Sequence, residues 1–163
     1  MLRVLPGALL VLISIGAGCS ANGGDPLSED AREVAVYAAV IRDVAESLPT
    51  GDEDPSERIV FVEPLDPDSA IGLEVQAGVV LELEDVATVS FIDDREAALD
   101  HDEEGAPVRK GAALIALGPL PESRRRVVVD VERYAHERDV EHLRYVVERV
   151  GEGWGVTERR SVG

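Results

Sequence analysis

From residue 28 onward the apolar positions first recur at three- and four-residue steps. Val34, Tyr37, Ala38, Ile41, Ala45 and Leu48 form one stripe of a helix. Ser28 is placed to cap its start, with Glu29 and Asp30 in the first turn, where carboxylates meet the positive helix end. Pro49 and Gly51 end it. After an acidic loop over 50–57, the run Ile59-Val60-Phe61-Val62 predicts a short buried strand that Pro64 stops. Asp66-Pro67-Asp68-Ser69 is turn and cap chemistry.

Residues 71–84 carry two patterns at once. Leu73, Val75, Ala77, Val79, Leu81 and Leu83 alternate as in a strand, whereas Leu73, Ala77, Val80 and Leu81 make a helical stripe. Gly72 and Gly78 weaken both. The helix is favoured: the segment is long for a strand, it follows a cap, and a second helix would cover the sheet. A short strand is expected over 88–92, one or two helical turns over 93–99, and an exposed loop over 100–110.

The last fifty or so residues alternate most clearly. Residues 112–117 are an apolar strand closed by Gly118-Pro119. Val127, Val129 and Val131 alternate with Val128, Asp130 and Glu132; Leu143, Tyr145 and Val147 alternate with Arg144, Val146 and Glu148. Gly151-Glu152-Gly153 is a turn, and Trp154 and Val156 open a final strand, with Trp154 expected in the core. Four such strands make an antiparallel meander with one face on the core. The fold class is therefore α+β: two main helices packed on a curved antiparallel sheet with a C-terminal β-meander, in a single domain over 28–163.

Composition narrows the partners. Of 163 residues, 33 are acidic and 16 are Lys or Arg, a net charge of −17. Such a chain repels phosphate at every approach, which argues against nucleic acid and anionic headgroups. The hydrophobic fraction, 45%, is that of a folded protein rather than an acidic disordered chain. One Cys excludes an intramolecular disulfide and a zinc site built on several Cys ligands.

That Cys stands at the end of a distinctive leader. Arg3 is the only charge before it, residues 4–17 are nearly all apolar, and Gly16-Ala17-Gly18 leads directly into Cys19. The apolar run is shorter than the roughly 20 residues a spanning helix needs, so it reads as an export signal. The junction resembles the lipobox of bacterial lipoproteins, although Gly16 stands where that family usually carries an aliphatic residue. The resemblance implies a signal peptide over 1–18 cleaved before Cys19, a lipid-bearing Cys19 as the new N-terminus, and anchoring at the cell membrane on its extracytoplasmic face. Residues 19–27 then form the lipidated Cys and its flexible tether, with Ser20, Ala21, Asn22, Gly23 and Gly24 supplying small polar spacing. Loss of residues 1–18 removes Arg3 alone among the charges, leaving 15 basic against 33 acidic residues, or −18 over 145 residues.

The run from Tyr145 through Gly151-Glu152-Gly153-Trp154 to Val156 resembles the closing hairpin of ketosteroid-isomerase-like and cystatin-like α+β rolls of bacterial envelope proteins. The resemblance bears on fold; fold alone does not give function.

Candidate chemistry is sparse. His136 and His142 flank Glu137, Asp139 and Glu141, and if 127–135 pairs with 143–150 they share a hairpin loop that could gather a cation; a solvated loop is the more usual reason for such residues. His101 lies in an acidic loop with Asp102, Glu103 and Glu104. Asp93 and Asp94 follow a predicted strand, a common place for catalytic carboxylates, but capping the next turn explains them as well. Tyr37, Tyr134 and Tyr145 could face a pocket, though packing with the hydroxyl satisfied is far more common. Arg124-Arg125-Arg126 is the only basic run, placed to meet lipid phosphate, an acidic loop of the same domain, or solvent. No nucleotide-binding, hydrolase or metalloprotease motif occurs. No catalytic, cofactor-binding or metal-binding residue is assigned and no cofactor is expected, so Cys19 is the one site.

Two functions follow. The first is a membrane-anchored, non-catalytic binding or interaction module whose partner is a protein or small ligand. The second is a small α+β-roll enzyme or ligand carrier with a pocket between helices and sheet. A deep apolar pocket with converging polar groups favours the second; a filled core with an exposed apolar patch favours the first. Weak binding of divalent cations by the acidic loops is a third option.

Overall fold

The computed structural model describes residues 28–48, 58–122 and 125–163. The leader over 1–18, Cys19 and the tether, the acidic loop over 50–57, and Arg124 lie outside the described residues.

Helix α1 spans Glu29–Ser47 and begins where the cap chemistry placed it: the Ser28 hydroxyl accepts from the Ala31 amide at 3.2 Å. It buries a wider arc than one stripe. Val36, Val40 and Val44 are buried beside Tyr37, Ala38, Ile41 and Ala45, because α1 packs on the sheet and also on α2. Helix α2, Leu73–Glu82, resolves the ambiguous segment as helix. Gly78 is what lets the two helices meet: a Cβ there would lie 2.5 Å from Val34 Cγ2.

Among the described residues there are six strands: β1 (Ile59–Pro64), β2 (Thr88–Phe91), β3 (Ala112–Leu117), β4 (Arg126–His136), β5 (Asp139–Val150) and β6 (Gly153–Ser161). They form one sheet in the order β2-β1-β3-β4-β5-β6. The α+β class, the two helices and the C-terminal meander are as expected. The sheet, however, is mixed rather than antiparallel throughout, since β1 pairs in parallel with both β2 and β3 while β3 to β6 are antiparallel. The physical reason is coverage. On one face Val60 and Val62 meet α1 and α2 in the main core; on the other, Phe61 and Leu114 meet Ala98, Leu99 and Tyr134. Strands covered on both faces are apolar at successive positions, as β1 and β3 are, and parallel strands need such covered crossovers.

The meander is joined by tight turns. Gly151 takes φ 63 at the first loop position of the β5–β6 hairpin, the positive φ that a type II′ turn demands. The β4–β5 hairpin closes on His136 opposite Asp139, so its loop is Glu137-Arg138 alone. His136 and His142 therefore stand on strands rather than in a shared loop, with His142 opposite Glu132. Trp154 is half-buried at the flank of the main core, packed against it without being enclosed.

Candidate functional site

The two crossovers of the parallel strands leave β1 and β2 on opposite faces of the sheet. The chain from β1 to β2 passes through α2 on the main-core face, and the chain from β2 to β3 crosses the other face with its 3-10 turn, Arg95–Ala98. Diverging connections open a crevice beyond the carboxyl ends of the parallel strands, the usual ligand position in sheets of this kind. Here the crevice is about 650 Å³, between residues 64–76 on one side and 91–95 on the other.

Arg95 is its central charge. Its Nε donates to Glu63 Oε1 at 2.9 Å, and its Nη2 donates both to that same oxygen and to Glu132 Oε1, the latter at 3.0 Å. The guanidinium also lies over the Tyr134 ring, 5.1 Å from its centroid. The Glu63 hydrogen bond, reinforced by Glu132, pushes the Arg95 pKa further up against the opposing effect of burial. The carboxylates come from facing positions: Glu63 pairs with Ala116 in register, and Ala116 with Glu132, so both project from one face of the sheet. His142, next along this row, has Nδ1 3.8 Å from Glu132 Oε2. With Asp93 and Asp94 also on the lining, the crevice carries four carboxylates against one guanidinium, and that guanidinium is already engaged.

The crevice runs into a second feature through Leu73, Gln76 and Phe91, which border both. This is a shallow apolar groove between α2 and β2. The stripe that the sequence offers for covering the sheet faces outward here: Leu73 is 79% exposed, Leu81 69% and Val80 42%. Val75, Val79 and Leu83 make the core contact instead. β2 lies at the sheet edge. Its Thr88 amide donates to Arg58 O, and the Ile92 amide beyond it donates to Val62 O. Alternation in a parallel ladder then turns the main-chain N–H and C=O of Val89 and Phe91 outward.

The other sequence candidates fall into structural roles. Asp94 Oδ1 accepts from the Glu96 amide at 3.1 Å and caps the 3-10 turn, while also bordering the crevice with Asp93. The three tyrosine hydroxyls are satisfied: Tyr37 donates to Gly118 O at 3.1 Å, Tyr134 to Ala106 O at 3.2 Å and Tyr145 to Asp43 Oδ2 at 3.2 Å. Desolvation by burial pushes both Tyr37 and Tyr145 up to about 12. His136 lies 4.0 Å from Asp139 and His101 3.3 Å from Glu96, both exposed. Arg126 pairs with Glu148 at 3.1 Å. Among the described residues no three His, Cys, Asp or Glu converge as metal ligands.

The Arg95 cluster is not legible in the sequence. Its members lie on three separate segments, and the signals available were a single Glu closing an apolar strand and a polar alternate on β4. Comparison with protein-family models, curated proteins and solved structures finds no match for this chain.

Proposed function

We propose that this protein is a membrane-anchored interaction module, held at the extracytoplasmic face by lipid on Cys19 and working by binding rather than catalysis. The observation that carries the reading is the outward apolar stripe Leu73, Val80 and Leu81 beside the β2 edge. Beneath the helices, where an isomerase-like roll would keep its cavity, Val36, Val40, Ile41, Val62 and Ile115 are fully buried in mutual packing. Large apolar side chains left in water cost solvation free energy that a bound partner recovers, at about 25 cal/mol per Å² covered. Arg95 is locked between Glu63 and Glu132, which suits it to shape and charge the crevice rather than to exchange protons. The anchor is supported by the small-residue run ending at the chain's single Cys. Two acyl chains hold a protein far more firmly than one, each buried CH₂ contributing about 0.8 kcal/mol.

Metabolic labelling with a fatty-acid analogue tests the anchor. The wild type is expected to carry label and fractionate with membranes, and Cys19→Ala to lose both. Label retained on Cys19→Ala, or an uncleaved leader in the wild type, contradicts it.

A further inference from the structure

The two outer strands of the sheet are treated differently. β6 carries Glu158, Arg159 and Arg160, and its pairing with β5 shifts register between Val146 and Val147. Charges and a bulge are the ordinary protection of an exposed edge against added strands. β2 has neither: its sequence is Thr88-Val89-Ser90-Phe91, and its pairing with β1 is regular. Beside this edge lies the apolar groove of α2, with Glu84 the only charged residue among the described ones on its lining. At the carboxyl end of the same edge the groove opens into the crevice, where Glu63, Asp93, Asp94 and Glu132 outnumber an engaged Arg95.

We propose that the β2 edge accepts an extended polypeptide segment as a seventh strand, with alternate apolar side chains seated against Leu73, Ala77, Val80 and Leu81 and a basic side chain reaching the crevice. The inference rests on the interaction-module reading and names the chemistry of its partner. Main-chain bonds to Val89 and Phe91 supply affinity, and the groove and crevice supply selectivity for every second side chain. With two outward residues on β2, the edge alone is short, so apolar contact with α2 must carry much of the binding. Charge selects a different chain over a second copy: two molecules of net charge −18, with 15 basic against 33 acidic residues once 1–18 are lost, repel, and each would bring acidic residues to an already acidic crevice.

The test uses the full-length protein in mild detergent and a dye-labelled peptide, acetyl-Lys-Val-Thr-Val-Thr-Val-Arg-amide. Its controls are a version with Glu in place of Lys and Arg, and two versions N-methylated on alternate sets of amides. Fluorescence anisotropy is expected to show saturable binding of the basic peptide and at least about tenfold weaker binding of the acidic one. One N-methylated version is expected to lose about tenfold or more and the other to bind normally, since only one set of amides faces β2. Leu81→Glu is expected to weaken the basic peptide by about tenfold, and the Val89 and Phe91 amides to gain protection from hydrogen exchange when it binds. Equal binding of both N-methylated versions, with Leu81→Glu still harmful, overturns strand addition and leaves an apolar docking groove, so the interaction-module reading stands. Absence of peptide binding alongside a dimer that Leu81→Glu dissolves overturns the proposal in favour of a second copy. No peptide binding and no dimer overturns the proposal and, with it, the use of this surface as a module.

Discussion

The two halves of the sheet solve the same burial problem in opposite ways. In β2-β1-β3 the strands are parallel, and the two inner ones, β1 and β3, are apolar at successive positions and covered on both faces, by the helices on one side and by residues 92–111 on the other. In β4-β5-β6 the strands are antiparallel and alternate, with α1 on one face and a charged lattice on the other. There Asp130 and Arg144 meet at 2.8 Å, Arg126 and Glu148 at 3.1 Å, and Arg160 and Glu158 at 2.9 Å. The covered half also carries the crevice and the groove, because its crossovers leave β1 and β2 on opposite faces and α2 is exposed on its outer side. In the open-faced half several charges pair across neighbouring positions and the edge strand is guarded by charge and a bulge. Burial on both faces thus goes with the candidate site, and exposure of one face goes with self-sufficiency.

The largest expected effect is in the covered half. Leu114 is fully enclosed between the sheet and the crossing segment, so Leu114→Ala is expected to cost about 2–5 kcal/mol in urea unfolding. A loss below about 1 kcal/mol would mean that this second layer is not a packed core.

Alkaline unfolding probes the seam between α1 and the sheet. Tyr37 and Tyr145 are held protonated to about 12 in the folded chain, above the ordinary value of 10. Their stabilising contribution is full below pH 10 and is lost as pH rises from 10 to 12. Each is worth roughly 2–3 kcal/mol across that window. Tyr37→Phe is expected to flatten this part of the stability profile, and an unchanged profile would contradict the assigned burial.

The helix–helix contact gives the next effect. Gly78→Ala gains helix propensity yet puts a Cβ 2.5 Å from Val34 Cγ2. It is expected to lose about 1–3 kcal/mol, with Val34→Ala restoring part of the loss. Additive losses in the double variant would show that the two side chains do not meet.

Surface changes are expected to move stability least. Arg144→Ala breaks an exposed pair and is expected to cost about 0–1 kcal/mol. Leu81→Glu touches no core contact, and its melting temperature is expected to stay close to that of the wild type.

Local signals in the sequence carried much of this fold. The Ser28 cap, the Pro64 strand stop and the alternation of β4 and β5 each depend on residues near one another in the chain, and each is found. Parallel pairing was not legible in the same way, because it depends on what covers the second face. The hint lay in the unbroken apolar runs Ile59–Val62 and Ala112–Leu117, which leave no solvent side. The outward stripe of α2 was misleading for a related reason. Leu73, Ala77, Val80 and Leu81 have helical spacing, but Val75, Val79 and Leu83 are the positions that reach the core, and hydrophobicity alone cannot rank two stripes on one helix. Trp154 likewise has the turn and period of a core residue, yet it is partly buried and packs at the flank of the main core, on the edge strand β6. Of the candidate site, Asp93 and Asp94 were visible as carboxylates after a strand; Glu63, Arg95 and Glu132 were not, since only the sheet register brings them together.

Site-specific photo-crosslinking of the full chain within cells sets the outward stripe of α2 against the charged face of the meander. A crosslinking residue at position 81, in the outward stripe of α2, is compared with one at position 144, on the charged face of β5. A discrete crosslinked species is expected from position 81, suppressed when Leu73→Glu is added, and none from position 144. Crosslinking from position 144 alone, or from both positions without dependence on Leu73, would contradict the assignment of the interaction surface to the covered half.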